Sequence, residues 1–306
     1  MKTFPRPDHF DATLIVIGAG SAGLVSAYIA AAVQAKVILI EKHKMGGDCL
    51  NTGCVPSKAL IRAAKFVHQA GQSQKFGVKS ATLEFEFSDI MQRIHEVIAR
   101  IEPHDSIERY SQLGVEVIQG EARLVSPWSV AVGDRTLNAK SIIIAAGAAP
   151  FIPPIKGIAT IRPLTSDNLW ELRELPERLL VLGGGPIGCE LAQSFARLGS
   201  EVTQVEMLPR LMVREDEEVS DYIRQRFEAE GVNVLCNHRA IEFLRQEGQS
   251  SLVCEHQGAR VEIAFDQVLV AVGRAARLEG YGLRELEIPI SERRTIEVND
   301  HLQAAY

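Results

Sequence analysis

Positive charge is not in excess in this chain. Lys and Arg total 33 against 39 Asp and Glu, a net charge of −6, with a pI near 5.8. A nucleic-acid binder carries a basic patch, and none is visible. Low-complexity tracts are absent. An apolar leader is absent too: Lys2, Arg6, Asp8 and Asp11 break up the first residues before an apolar segment could form. A cytoplasmic protein is therefore expected. In a reducing compartment, a close cysteine pair is more often catalytic or metal-binding than structural. The five cysteines include no C-x-x-C pair, so a zinc clip lacks its usual soft ligands. Residues 12–35 carry no charge, a run long enough to span a membrane. Gly18, Gly20 and Gly23 interrupt it, and a buried strand, turn and helix fit it better.

What is present is a device used twice. "LIVIGAGSAGLVSAY" (14–28) reads as a strand closing on Gly18-x-Gly20-x-x-Gly23 and opening a helix. The next strand, "AKVILIEK" (35–42), carries Glu41 near its end. "LLVLGGGPIGCELAQ" (179–193) repeats the pattern with Gly183, Gly185 and Gly188, and "SEVTQVEM" (200–207) carries Glu206. One such triplet is a weak signal, but here each copy has strand, helix and acid in place. The first glycine permits the tight turn, the second lets backbone approach a pyrophosphate, and the third allows close packing of the helix. The helix N-terminus offers free N–H groups to phosphates, and the acid accepts from ribose hydroxyls. Two dinucleotide sites imply electron relay between two cofactors. The expected fold is α/β, with two Rossmann-like dinucleotide-binding domains, a central parallel sheet and a β-meander.

The coarse organisation follows. Helices are expected over 55–75 and 88–113, and short strands over 115–145. "KSIIIAAGAAP" (140–150) reads as a buried strand ending in a glycine turn, and "FIPPIKG" (151–157) as a linker. "QVLVAVGRA" (267–275) echoes the earlier strand and turn. The expected domains are 1–150, 151–276 and a return to the first domain over 277–306.

"GGDCLNTGCVPSK" (46–58) holds Cys49 and Cys54. On a regular helix they would lie about 7.5 Å apart along the axis and about 140° apart around it. Disulfide geometry wants Cα atoms about 5.5–6 Å apart, so a bond needs a distorted turn, which Gly53 permits. Lys58 follows Cys54 by one helical turn. An ammonium and a helix N-terminus both lower a thiol's pKa. A redox couple is favoured, with a zinc clip and an inert pair as competing readings. Cys189, Cys236 and Cys254 are scattered and read as buried small hydrophobes.

With these motifs the chain closely resembles the pyridine nucleotide–disulfide oxidoreductases, which include glutathione reductase, dihydrolipoamide dehydrogenase and mercuric reductase. The resemblance covers nearly the whole chain, and "ELAQSFARLGS" (190–200) looks most like the mercuric reductase branch. It implies FAD held by Gly18, Gly20, Gly23, Glu41 and Gly147. It implies NAD(P)H held by Gly183, Gly185, Gly188 and Glu206, with Gly47 and Gly273 as further cofactor-binding glycines. NADH is expected over NADPH because Glu206 would repel a 2′-phosphate, although Arg210 could offset this. Cys54 matches the flavin-facing thiol and Cys49 the interchange thiol. Lys58 and Glu190 match an ion pair beside the reactive flavin nitrogen, where a fixed cation stabilises developing negative charge. No metal site is implied. Electrons would pass from NAD(P)H through FAD and a Cys49–Cys54 disulfide to an acceptor, a mercuric ion or a disulfide.

The departures carry expectations of their own. Asp48 stands where the family usually has threonine, and an acid there would oppose thiolate formation at Cys49. "GRAARLEG" (273–280) lacks the common Pro-Asn after Gly-Arg. The chain stops at "TIEVNDHLQAAY" without the family's Gly-Asp strand, and none of its eight histidines precedes proline. The C-terminal dimerisation domain is expected to be absent here, and a homodimer is expected of a full-length parent. The competing functions are a flavin-binding redox-sensing or assembly module without turnover, and a cysteine-based metal carrier.

Overall fold

The computed structural model describes residues 3–306; Lys2 lies outside them. The chain divides into two compact units. Of the described residues, the first comprises 3–51, 98–149 and 275–306, and the second comprises 52–97 and 150–274. One boundary falls within the cysteine segment, between Asn51 and Thr52.

The first unit is built on a six-stranded sheet. Its order is Val115–Gln119, Val37–Glu41, Ala12–Ile17, Arg135–Ile144, Ser129–Val132, Ala122–Ser126. Ala12–Ile17 is the hub, parallel to Val37–Glu41 on one side and to the last residues of Arg135–Ile144 on the other. Ten-residue Arg135–Ile144 does two jobs. Its first half pairs antiparallel with Ser129–Val132, and its second half joins the parallel core. Strands buried on both faces read as continuous apolar runs, as "LIVI" and "VILI" do. One core cluster joins Ile15, Ile38, Val130 and Leu137 to Tyr281, Leu283 and Leu286 from the returning C-terminal segment. The uncharged run 12–35 becomes the strand Ala12–Ile17 and the helix Ser21–Ala32. Among the described residues no helix is long and apolar enough to cross a membrane.

The second unit repeats the arrangement. Its parallel sheet runs Asn233–Leu235, Glu201–Val205, Arg178–Leu182, Gln267–Val270. An antiparallel meander, Arg239–Gln246, Gln249–His256 and Ala259–Phe265, packs its Phe243, Leu252 and Phe265 against Leu180, Val205 and Val268. Helix Cys54–Gly71 lies on helix Pro186–Leu198, and Phe87 meets Phe195 with ring centroids 5.9 Å apart.

The expected single helix over 88–113 is two helices, Phe87–Ile101 and Ile107–Gln112. Pro103 occupies a short 3-10 turn between them, where a missing N–H is tolerated. Ser106 then caps the second helix, its Oγ accepting from Arg109 N at 3.2 Å. The helix expected over 55–75 ends at Gly71, followed by a 3-10 turn at Ser73–Phe76.

Candidate functional site

The two glycine loops share one backbone pattern. Gly18 and Gly183 adopt φ of 101° and 116°, a region that only glycine enters without cost. Their N–H groups bond Ile40 O and Val205 O, each at 2.8 Å. A Cβ on Gly23 would fall on the carbonyl oxygen of Gly18, and one on Gly188 on that of Gly183. The third glycine is therefore required by the first glycine's own carbonyl, more than by the neighbouring strand. Gly20 and Gly185 are the N-caps of helices Ser21–Ala32 and Pro186–Leu198, neither with a side-chain cap. The first N–H groups of each helix lack an intrahelical partner, and Pro186 at the start of the second helix has no N–H to offer. A Cβ on Gly185 would meet nothing within 4 Å.

Both acids are latched to their own loops, a feature the spacing alone did not reveal. Glu41 Oε2 accepts from Ala19 N at 2.6 Å and Oε1 from His43 N at 2.8 Å. Glu206 Oε2 accepts from Gly184 N at 2.6 Å and Oε1 from Leu208 N at 2.8 Å. Each carboxylate oxygen has a further lone-pair direction, so the acids can hold the loop and still accept from ribose hydroxyls. Open N-cap glycines, unsatisfied N–H groups and half-buried acids fit an adenine dinucleotide in each unit.

Gly47, with φ 53°, completes the first loop: its Cβ would lie 2.6 Å from Gly20 Cα, so backbone packs on backbone there. Asn51 Nδ2 fastens the same turn through Met45 O and Gly47 O, at 3.0 and 2.8 Å. The two glycine turns after the outer parallel strands also correspond. Gly147 has φ 72° and Gly273 φ 139°. Gly147 O accepts from Arg277 N, and Gly273 O from Phe151 N, both at 3.0 Å.

Arg210 is half-buried and its guanidinium is engaged by its own chain. Its guanidinium bonds Glu215 O at 3.0 Å, Ser220 Oγ at 2.8 Å and Val213 O at 3.4 Å.

Cys49 is half-buried in the short helix Gly47–Asn51. Cys54 is an exposed free thiol and the first residue of helix Cys54–Gly71. Lys58 stands one turn further. Its Nζ lies 2.8 and 2.7 Å from the two carboxylate oxygens of Glu190 on the facing helix. The structure thus brings Lys58 and Glu190 together across 132 residues of sequence. Both are substantially exposed, at 60% and 37%, so the pair adds only about 0–1 kcal/mol of stability.

Of the other cysteines, Cys189 and Cys254 are buried and burial pushes each thiol up to about 11. Cys236 departs from the expected burial: it is only half-buried, and burial pushes its thiol up as well. Among the described residues no group of three or more His, Cys, Asp or Glu is arranged to hold a metal ion.

Sequence reasoning missed Trp170. Its indole N–H donates to the carbonyl of Thr52, inside the cysteine segment, at 2.9 Å. A buried indole needs an acceptor, but no periodicity signals which one.

The family model for pyridine nucleotide-disulphide oxidoreductases matches residues 12–306. The chain belongs to that family. Its relatives include a mercuric reductase of Lysinibacillus sphaericus, 33% identical over 97% of this chain and 54% of the relative. A dihydrolipoyl dehydrogenase of Thermus scotoductus (strain ATCC 700910 / SA-01) is 36% identical over 95% of this chain and 63% of its own length. Among solved structures, the HOCl-induced flavoprotein disulfide reductase RclA from Escherichia coli superposes with a TM-score of 0.82 at 30% identity. That match covers 96% of this chain and 63% of the other. The chain thus spans between half and two thirds of the length of these relatives. Members of this oxidoreductase family use FAD and NAD(P)H, and the fold described above is the family's.

Proposed function

We propose that this chain is the nucleotide-binding and redox-active portion of an NAD(P)H-dependent flavoprotein reductase. In this reading a Cys49–Cys54 couple passes electrons to a mercuric-ion or disulfide acceptor. The observation that carries it is the duplicated loop with its latched acid, one copy in each unit. Two dinucleotide sites in one chain serve a relay, not a single dehydrogenation.

Gly18, Gly20, Gly23, Glu41, Gly47 and Gly147 would hold FAD; Gly183, Gly185, Gly188, Glu206 and Gly273 would hold the nicotinamide nucleotide. FAD, when bound, supplies two-electron chemistry between nicotinamide and a disulfide. The residues themselves bind, orient and compensate charge. The N-cap glycines present N–H groups to phosphate oxygens. Glu41 and Glu206 orient ribose through their remaining lone pairs. Glu206, with Arg210 engaged elsewhere, favours a free 2′-hydroxyl and hence NADH. Lys58, oriented by both oxygens of Glu190, supplies a fixed cation. A pair worth so little to stability yet held in bidentate geometry is better explained by such a role. Cys54 is the thiol placed on a helix terminus, and Cys49 is the thiol that exchanges with the acceptor. A homodimer is proposed for the whole protein.

Thiol counting in denaturant tests the couple. The count should fall by two when the protein is oxidised with oxidised dithiothreitol, and Cys54→Ser should abolish that change. An unchanged count in the parent chain would remove the redox reading.

A further inference from the structure

Trp170 sits in a single 3-10 turn, Leu169–Glu171, and is 3% exposed. Its indole N–H is shared between two carbonyls, Thr52 O at 2.9 Å and Ser166 O at 2.7 Å. The turn that carries it is fastened on several sides. Thr165 N donates to Asn168 Oδ1 at 2.7 Å, and Arg274 Nη1 to Ser166 Oγ at 3.1 Å. The Trp170 carbonyl bonds His95 Nε2 at 3.1 Å and accepts from Arg173 Nη1 at 3.3 Å. The indole is thus a rigid donor held at a fixed point.

Thr52 is less well provided for. It follows helix Gly47–Asn51, precedes Gly53 and lies between the two cysteines. A carbonyl just past a helix end lacks an intrahelical partner, and Trp170 supplies one. Gly53, at φ −119° and ψ −107°, carries the chain on into the helix that begins at Cys54.

We propose that Trp170 is a positioning residue of the redox segment: its bond to Thr52 O holds the turn between Cys49 and Cys54 in the dithiol arrangement and so biases the dithiol–disulfide equilibrium. This rests on the redox reading above. A disulfide needs Cα atoms about 5.5–6 Å apart; on this proposal, closing it moves the intervening turn and withdraws Thr52 O from the indole. The shared N–H then keeps Ser166 O, so it is never left without an acceptor. The bond therefore favours the reduced couple selectively. Oxidised dithiothreitol is the co-reactant that poises the equilibrium. Its S–S bond breaks and the protein's forms; both thiol hydrogens pass to the reagent's sulfurs, and two electrons are transferred. A net hydrogen bond of ordinary strength, lost from one state only, shifts this equilibrium about three- to tenfold. Tenfold corresponds to about 30 mV for a two-electron couple.

The chain has two tryptophans, Trp128 and Trp170, so ¹⁵N-tryptophan labelling gives two indole N–H resonances, assigned by Trp128→Phe. On oxidation the Trp170 resonance should move and the Trp128 resonance should stay. In dithiothreitol redox buffers, Trp170→Phe should favour the disulfide by about three- to tenfold, a change that a purely structural anchor would not produce. A thiol count that falls by two while the Trp170 resonance stays fixed overturns the positioning role alone. So does an equilibrium constant unchanged in Trp170→Phe. A count that does not fall overturns this role and the redox reading together. The resonance experiment needs no substitution at Trp170, so it decides the matter even if Trp170→Phe does not fold.

Discussion

Replacing Glu230 by Gln should destabilise the second unit markedly while leaving the first unchanged. The Glu230 side chain is 3% exposed. Arg197 grips it with both ends of its guanidinium, Nε to Oε2 at 2.8 Å and Nη2 to Oε1 at 3.0 Å. Gln193 Nε2 adds a bond to Oε2 at 3.0 Å, Arg226 Nε lies 2.5 Å from Oε1, and His68 Nε2 lies 3.7 Å from it. Burial pushes the Glu230 carboxyl up, but the Arg197 hydrogen bonds and charge, with His68 and Arg226, more than offset this and hold it below its usual value. Glutamine keeps the shape and removes the charge. Arg226, 44% exposed, can turn to water; Arg197, 13% exposed, cannot do so fully. Breaking a buried pair costs about 3–5 kcal/mol. With Arg226 rehydrated, about 2–4 kcal/mol is expected. The assay is urea unfolding followed by fluorescence in a Trp128→Phe background, where Trp170 reports on the second unit. A group whose folded pKa is depressed stabilises above its unfolded pKa and loses that contribution as pH falls through the folded value. The gap between parent and Glu230→Gln should therefore be full above the unfolded carboxylate range, about 4.5, and narrow progressively below it as pH falls toward the lowered folded value. A cost under about 0.5 kcal/mol, or a gap that does not narrow as pH falls below the ordinary carboxylate range, would refute the reasoning.

Two further outcomes concern the proposed nucleotide chemistry. Glu206→Gln should weaken NADH binding by about tenfold, since bonds to a charged group are worth about 1.5–3 kcal/mol, and narrow the preference over NADPH; equilibrium binding of both nucleotides checks this. Lys58→Met should change urea stability by under about 1 kcal/mol. It should nonetheless slow flavin reduction in FAD-reconstituted protein by about tenfold or more, measured by anaerobic stopped-flow absorbance.

Local order was the legible part. Both glycine units could be read because turn, cap and acid lie within one strand–helix–strand stretch, where spacing along the chain fixes spacing in space. The helix break near Pro103 was equally readable from Pro103 and Ser106, but the apolar periodicity on either side masked it. Long-range partners were not legible from pattern. Glu190 became a candidate only through family resemblance, because nothing local links position 58 to position 190. Trp170 had no such resemblance to draw on, and its acceptor lies 118 residues away. The grouping of 52–97 with the second unit depends on how helix faces such as Phe87 meet Phe195. An apolar stripe announces that it will be covered, not by what.

The latched acids also constrain how this chain can change. On the proposed reading Glu206 serves two masters: the backbone at Gly184 and Leu208, and the ribose it would hold. A mutation that discards the carboxylate to admit a phosphorylated ribose also strips two backbone donors of their acceptor, at about 1–3 kcal/mol for each that is left buried and unmet. Drift in nucleotide preference is therefore steered away from the acid itself. The accessible routes run through its exposed neighbours, Met207 and Leu208, where a new cation can be added without unfastening the loop. Glu41, tied to Ala19 and His43 in the same manner, is under the same restraint. The two loops are therefore free to diverge at their rims while their acids stay pinned.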